Sequence, residues 1–133
     1  MKPQRTAIIT GAGQGIGLAI AVKLAAQSVN LVLNDLEEGL IREACKRISH
    51  VHGVSAFAVP GDSSSEEVIE DLIQTATNNF ETLDIVVANS GITLFGAFLE
   101  YSREDFMEVT RVNQVGTFFL AQAAANLMKE QSN

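Results

Sequence analysis

Thr10-Gly11-Ala12-Gly13-Gln14-Gly15-Ile16-Gly17 comes directly after the apolar run Thr6-Ala7-Ile8-Ile9 and directly before a segment of helical period. Four glycines in eight residues at a strand-to-helix junction let the backbone take positive φ and let an anion approach where a Cβ would block it. The helix that follows adds about half a positive charge at its first amides. A tight structural turn would also collect glycine, so the surroundings decide the reading. The preceding strand, an Ile16/Ile20/Leu24 stripe after the loop, and Asp35 closing a second strand eighteen residues past Gly17 together form a dinucleotide-binding unit. The octet is then a phosphate cradle, with Gly11, Gly13, Gln14, Gly15, Ile16 and Gly17 as its binding residues.

Outward from the loop, apolar runs of strand length alternate with segments of helical period four times, which implies parallel strands covered by helices. Strands are expected at about Arg5 to Thr10, at Leu31-Val32-Leu33, from Val54 to Val59 and from Asp84 to Ala88. The second of these is continuously apolar, as burial on both faces of a parallel sheet requires. The first helix is expected from Gly15 to Gln27 with Ile16, Ala19, Ile20 and Leu24 on its apolar face. The second carries Leu40, Ile41, Ala44, Cys45 and Ile48. The third follows the capping signal Ser63-Ser64-Ser65-Glu66-Glu67 and buries Val68, Ile69, Leu72, Ile73, Ala76 and Phe80. A long final helix is expected from Arg103 to Lys129, with Phe106, Val109, Thr117, Leu120, Ala124 and Met128 on one side and Asn113 on the same stripe. Asparagine is a poor residue for a helix interior, so Asn113 either bends the helix or holds a polar network. The expected fold is α/β, a Rossmann-type doubly wound parallel sheet of strand order 3-2-1-4, in one domain over residues 1–133.

Two carboxylates each carry two readings. Asp35, with Glu38 three residues on, fits a helix N-cap with its reciprocal glutamate, and it also stands where adenosine ribose hydroxyls would lie. The roles are compatible. Asp62, after Pro60-Gly61, fits an Asx turn on residue type alone.

The spacing Thr-Gly-x-x-x-Gly-x-Gly, followed in order by Asp62, Ala88-Asn89-Ser90-Gly91 and Asn113, resembles that of the short-chain dehydrogenases/reductases, with 3-oxoacyl-ACP-reductase-like members among the nearest. The resemblance runs along the whole chain. It implies NAD(P)-dependent interconversion of an alcohol and a carbonyl, with Asp35 and Leu36 at the adenosine ribose, Asp62 and Ser63 at adenine, and Asn89, Ser90 and Gly91 along the nicotinamide side. It also implies that Asn113 has a catalytic part, holding a water that feeds protons to a lysine. The family commonly has Asn-Asn-Ala-Gly where this chain has Ala88-Asn89-Ser90-Gly91, so Ala88 replaces the first asparagine and Ser90 the alanine. The family's catalytic Ser and Tyr-x-x-x-Lys have no match within 133 residues. Tyr101-Ser102-Arg103-Glu104-Asp105 does not supply them: an aspartate four residues past the tyrosine cannot lower a phenol's pKa as lysine would. The chain therefore resembles the amino-terminal, cofactor-binding half of such an enzyme, truncated after the fourth strand and its helix, and is expected to be inactive alone. A catalytically silent nucleotide-binding or assembly module stands as the rival reading. A methyl-donor-dependent transferase shares the alternating pattern but is disfavoured by the glycine spacing and Asn113.

Composition narrows partners. A net charge of −7 with no Lys/Arg cluster argues against nucleic acid and anionic membrane surfaces. No apolar run approaches the roughly 20 residues of a membrane span, and Met1-Lys2-Pro3-Gln4-Arg5 leads into a strand rather than a signal-peptide core. A cytoplasmic setting is expected. NAD is expected over NADP, because Asp35 and Glu37-Glu38 would repel a 2′-phosphate and Gln14 supplies no cation. Cys45 reads as a small buried hydrophobe, and His50 and His52 as solvated residues of a connector, with no metal site. The resemblance implies a fifth parallel strand beside the fourth, so Ile85-Val86-Val87 is expected as an open sheet edge. With Val112, Val115, Phe118, Phe119 and Leu127 beyond the final helix's core stripe, the apolar surface means a protein interface, a missing segment or aggregation, and a homo-oligomer is expected.

Overall fold

The computed structural model describes residues 3–131. The leaderless start read at Met1-Lys2 and the chain end at Asn133 lie outside the described residues. The elements are β1 (Thr6–Ile9), α1 (Gly15–Ala25), β2 (Asn30–Asp35), α2 (Glu38–His52), β3 (Ala56–Pro60), α3 (Glu66–Asn79) and β4 (Ile85–Val87), then α4 (Arg103–Thr110) and α5 (Gly116–Glu130), joined by a π-helical turn over Arg111–Val115. All strand pairs are parallel and their order is β3-β2-β1-β4, as the alternating pattern predicts.

Alternation along the central strands sends side chains into two cores. Ala7, Ile9, Leu31 and Leu33 pack with Ala21, Ala25, Ile41, Cys45 and Ile48 of α1 and α2. On the other face Ile8 and Val32 meet Ile69, Leu72 and Ala76 of α3 and Leu120 and Ala124 of α5. Each fully buried Ile or Leu contributes about 1.5–3 kcal/mol of burial free energy, so the two cores hold the doubly wound sheet. Burial also pushes the Cys45 thiol up to about 11 despite the opposing charge of Arg42, which agrees with its reading as a small hydrophobe.

The structure corrects the sequence reading at several places. Ile16 is 74% exposed and Ala19 is exposed, while Ile20 and Leu24 pack partly against the first core as expected; the buried contacts of α1 are Gly17, Ala21 and Ala25. Small residues here allow close approach, which a search for large apolar residues misses. Helix α2 continues through His50 and His52 and ends at Gly53, whose φ of +68° forms a left-handed cap, so the histidines lie in the last turn rather than in a connector. The N-cap of that helix is Glu37, not Asp35. Phe106 and Thr117 are exposed, and Leu127, expected outside the core stripe, packs partly against the second core. The single final helix is interrupted by the π turn, which contains Asn113.

Two side-chain amides fix this interrupted rod to the edge strand. Gln131 accepts from Leu83 N at 2.7 Å and donates to Leu83 O at 3.0 Å, just before β4. Past the other end of β4, Asn113 accepts from Ile92 N at 2.8 Å and donates to Ile92 O at 2.9 Å. Each amide completes one residue's backbone pairing as a neighbouring strand would.

Candidate functional site

The strands' carboxyl ends converge on a cleft of about 480 Å³. The glycine loop forms its floor by lacing across the sheet. Thr10 N donates to Val87 O, Ala12 N to Asn34 O at 2.8 Å, and Gly13 N to Asp35 Oδ2 at 2.9 Å. Gly11 and Gly15 take φ of +63° and +61°, the left-handed region that glycine enters without steric cost. Gly17 is buried, and a Cβ there would fall on the Gly11 carbonyl and reach 2.6 Å from Asn89 Nδ2. The third glycine of the spacing therefore serves packing of α1 onto the loop.

Of the residues singled out by sequence, Gly11, Gln14, Asp35, Leu36, Asp62, Ser63, Asn89, Ser90 and Gly91 line this one cleft. Gly13 and Gly17 lie buried behind the loop, while Gly15 and Ile16 are exposed at the start of α1. Asn113 stands at the Gly91 end, its Oδ1 3.3 Å from where a Gly91 Cβ would be.

The Asp35 carboxylate has one oxygen on Gly13 N and the other on Glu37 N at 3.0 Å. Each oxygen keeps a lone pair, so the group can still accept from two hydroxyls. The first turn of α1 contrasts with those of α3 and α4. Ser65 and Ser102 cap those helices by accepting from Val68 N and Asp105 N, whereas Gln14 makes no side-chain cap and α1 has no acidic residue in its first turn. Its leading amides are left for an anion.

Asn89 Nδ2 bridges the carbonyls of Thr10 and Gly11 at 3.2 Å each, tying the β4 exit to the glycine loop. Thr10 Oγ1 accepts from the backbone amides of both Asn89 and Ser90 at 3.1 Å, a contribution sequence reasoning missed. Asp62 makes the Asx turn: its Oδ1 accepts from Ser64 N at 2.9 Å and from Ser64 Oγ at 2.6 Å. Its Oδ2 pairs with Arg111 Nη1 at 2.6 Å, and the same nitrogen also donates to Ser64 Oγ. Although desolvation raises its pKa, the hydrogen bonds from Ser64 and the Arg111 guanidinium together hold the Asp62 carboxyl below the ordinary value.

Arg111, Glu108 and Asn34 also line the cleft and were not found from sequence. A Glu108/Arg111 pair at i,i+3 was visible as a signal. The 49-residue separation of Arg111 from Asp62 was not. Asn34 is buried, donates to Val59 O and Gly61 O at 3.0 Å each, and leaves Oδ1 without a partner. Tyr101 donates to Leu94 O at 2.7 Å. Among the described residues no cluster of His, Cys, Asp and Glu could hold a metal ion, and no helix is long and apolar enough to cross a membrane.

A family model described as short chain dehydrogenase matches residues 5–133. The chain belongs to the short chain dehydrogenase family. It is 38% identical over 129 residues to the diacetyl reductase [(S)-acetoin forming] of Staphylococcus epidermidis, covering 97% of this chain and 50% of that one. Among solved structures, the alcohol dehydrogenase of the archaeon Thermococcus sibiricus complexed with 5-hydroxy-NADP superposes with a TM-score of 0.89 at 32% identity, covering 95% of this chain and 54% of that one. A short chain dehydrogenase/reductase of Burkholderia phymatum in complex with NAD gives a TM-score of 0.89 at 29% identity, with coverages of 95% and 44%. The short chain dehydrogenase chain described here spans about half the length of the curated relatives it matches. The two neighbours were solved with different dinucleotides, so family membership leaves the choice of cofactor to the residues of this cleft.

Proposed function

We propose that this chain is the cofactor-binding portion of an NAD(H)-dependent oxidoreductase that interconverts an alcohol and a carbonyl. The observation that carries the reading is the Asp35 carboxylate, fixed by Gly13 N and Glu37 N beside the uncapped start of α1. The residues fit a dinucleotide: free amides and open space at Gly15 suit a pyrophosphate, and an ordered carboxylate with spare acceptor capacity suits a ribose diol. The nicotinamide supplies the hydride chemistry when bound. The chain's residues bind and orient it. Gln14 and Leu36 face the cleft beside Asp35, and Asn89 holds the loop against the β4 exit where Ser90 and Gly91 line the far end. Asn113 uses one lone pair and one hydrogen on Ile92, which leaves one of each for a water at that end. A homo-oligomer, and a cytoplasmic setting in keeping with the unpaired Cys45, complete the reading.

Titrating NAD and NADP against the chain tests it. A 2′-phosphate beside Asp35 faces a like charge whose cost is about 1–3 kcal/mol, so NAD should bind roughly ten- to a hundredfold more tightly, and Asp35→Ala should narrow that gap. Equal or tighter NADP binding would sink the assignment. The chain alone should not turn over NADH with alcohols or ketones; measurable turnover would show that residues within it replace the family's tyrosine and lysine.

A further inference from the structure

Arg111 is the first residue of the π-helical turn, a geometry that re-aims side chains and recurs at functional sites. Its guanidinium reaches in two directions. On one side Nε and Nη2 fork onto Glu108 at 3.0 and 2.7 Å; on the other Nη1 meets Asp62 Oδ2 at 2.6 Å and Ser64 Oγ. The planar fork fixes both partners in orientation as a lysine could not. Asp62 is thereby almost saturated. Oδ1 accepts twice from Ser64 and Oδ2 once from Arg111, which leaves a single acceptor position on Oδ2 at the cleft wall.

We propose that Arg111 is a positioning residue for purine recognition: by fixing Asp62 with one acceptor position free, it makes the cleft select a 6-amino over a 6-oxo purine dinucleotide. The inference rests on the reading of the cleft as a dinucleotide site with Asp62 at the adenine end. A carboxylate held by a guanidinium and two Ser64 donors accepts from an exocyclic amine but has nothing to donate to a carbonyl. Without Arg111, the carboxylate is released on one side and Glu108 remains as a second, unpaired carboxylate at the same wall. Water or a protonated carboxyl could then satisfy either purine edge, and discrimination falls.

The test is calorimetric titration of the chain with NAD and with its hypoxanthine analogue, in which a 6-oxo group replaces the 6-amino group. The parent should bind NAD roughly tenfold more tightly, the size of one charge-assisted hydrogen bond. Arg111→Met should bring the ratio to twofold or less while changing affinity for the hypoxanthine analogue by less than about twofold. A merely structural role would weaken both ligands alike. Arg111→Lys, which keeps the charge and is the variant to use if the Met form unfolds, should give a ratio near threefold because it lacks the fork. A parent ratio near one, or a ratio unchanged in whichever of these variants folds, overturns the inference while the cleft reading stands. Failure of the parent to bind either dinucleotide overturns the cleft reading itself, and the inference with it.

Discussion

Two loops leave the carboxyl ends of neighbouring strands, one after β1 and one after β4, and they are built in opposite ways. In the first, Thr10, Ala12 and Gly13 each donate a backbone hydrogen bond to β4 or β2, and Ala12 and Gly13 are buried. In the second, Phe95, Phe98 and Leu99 are each more than 90% exposed, and the side chains that tie the segment down are Tyr101, on Leu94 O, and Asn113, on Ile92. Sequence separation does not explain the difference, since the glycine loop also depends on partners far along the chain. Closure does: the glycine loop is held down by partners within this chain and leaves the leading amides of α1 free, whereas the β4 exit presents large apolar side chains that none of the described residues cover. Large apolar side chains left open to water are the usual material of an interaction face.

The comparison breaks first at Gly17. A valine there would drive its branch into the Gly11 carbonyl and Asn89 Nδ2, prising α1 off the loop it closes. Gly17→Val should lose at least about 3 kcal/mol of stability and all dinucleotide binding, read by urea denaturation and by titration. Gly11→Val also meets a positive φ, but its nearest obstacles are the Asn89 and Ser90 side chains at 3.0 and 3.1 Å, so folding should suffer less while binding is still lost. Parent-like binding in both variants would show that the loop is not the cradle.

Next come the two amide clamps that tie the α4–α5 rod to the edge strand. Gln131→Ala removes both hydrogen bonds to Leu83, and Asn113→Ala removes both to Ile92. Each should destabilise by about 1 kcal/mol, with Gln131→Ala the more costly because its bonds are the better sheltered. Hydrogen exchange at β4 should rise in both. Unchanged exchange would show that packing of Leu120 and Ala124, not the clamps, holds the rod.

The rod's contact at Arg111 should also depend on pH. Hydrogen bonding to Arg111 holds Glu108 below the ordinary carboxylate value, and Asp62 is held low through Ser64 and Arg111 against its desolvation. Carboxyls with lowered folded pKa contribute stability that is present above their unfolded values, near 4, and lost as pH falls through the folded ones. All three side chains are more than a third exposed, so solvent screening keeps the effect small. Acid should therefore raise exchange in α4 before it loosens β1 and β2, and salt should mimic it weakly. Simultaneous loss at all elements would show that this network does not set the rod's stability.

What could be read from sequence follows the same division. Leu31-Val32-Leu33 and the glycine spacing are local signals, so strand order and the cleft's floor were legible from them. The face of α1 was legible in part: Ile20 and Leu24 pack against the first core as their spacing says, whereas Gly17, Ala21 and Ala25 approach the sheet by being small and give a weaker signal. Arg111 was hidden because its meaning lies 49 residues away at Asp62; the π turn was announced only through Asn113, a poor helix-interior residue that does sit in the turn and pairs with Ile92. Phe106 was misplaced for a different reason: an apolar stripe states that a side chain needs cover without stating which surface provides it.

The smallest expected effect on folding sharpens the comparison from its open side. Phe118 and Phe119 stack edge to face, with centroids 5.1 Å apart, yet they are 60% and 49% exposed. Phe98 is exposed in full view of solvent beside the β4 exit. Substituting a side chain that already contacts water forfeits little burial, so Phe118→Ser or Phe98→Ser should change stability by no more than about 0.5 kcal/mol, against 3–5 kcal/mol for a buried aromatic. The same substitutions remove apolar area from the proposed association face, so light scattering at micromolar concentration should show a smaller particle for Phe118→Ser than for the parent. A large loss of stability would mean that these rings are covered in solution even within one chain. A parent that is already a clean monomer would remove the proposed oligomer, and the exposed face would then have no part in self-association.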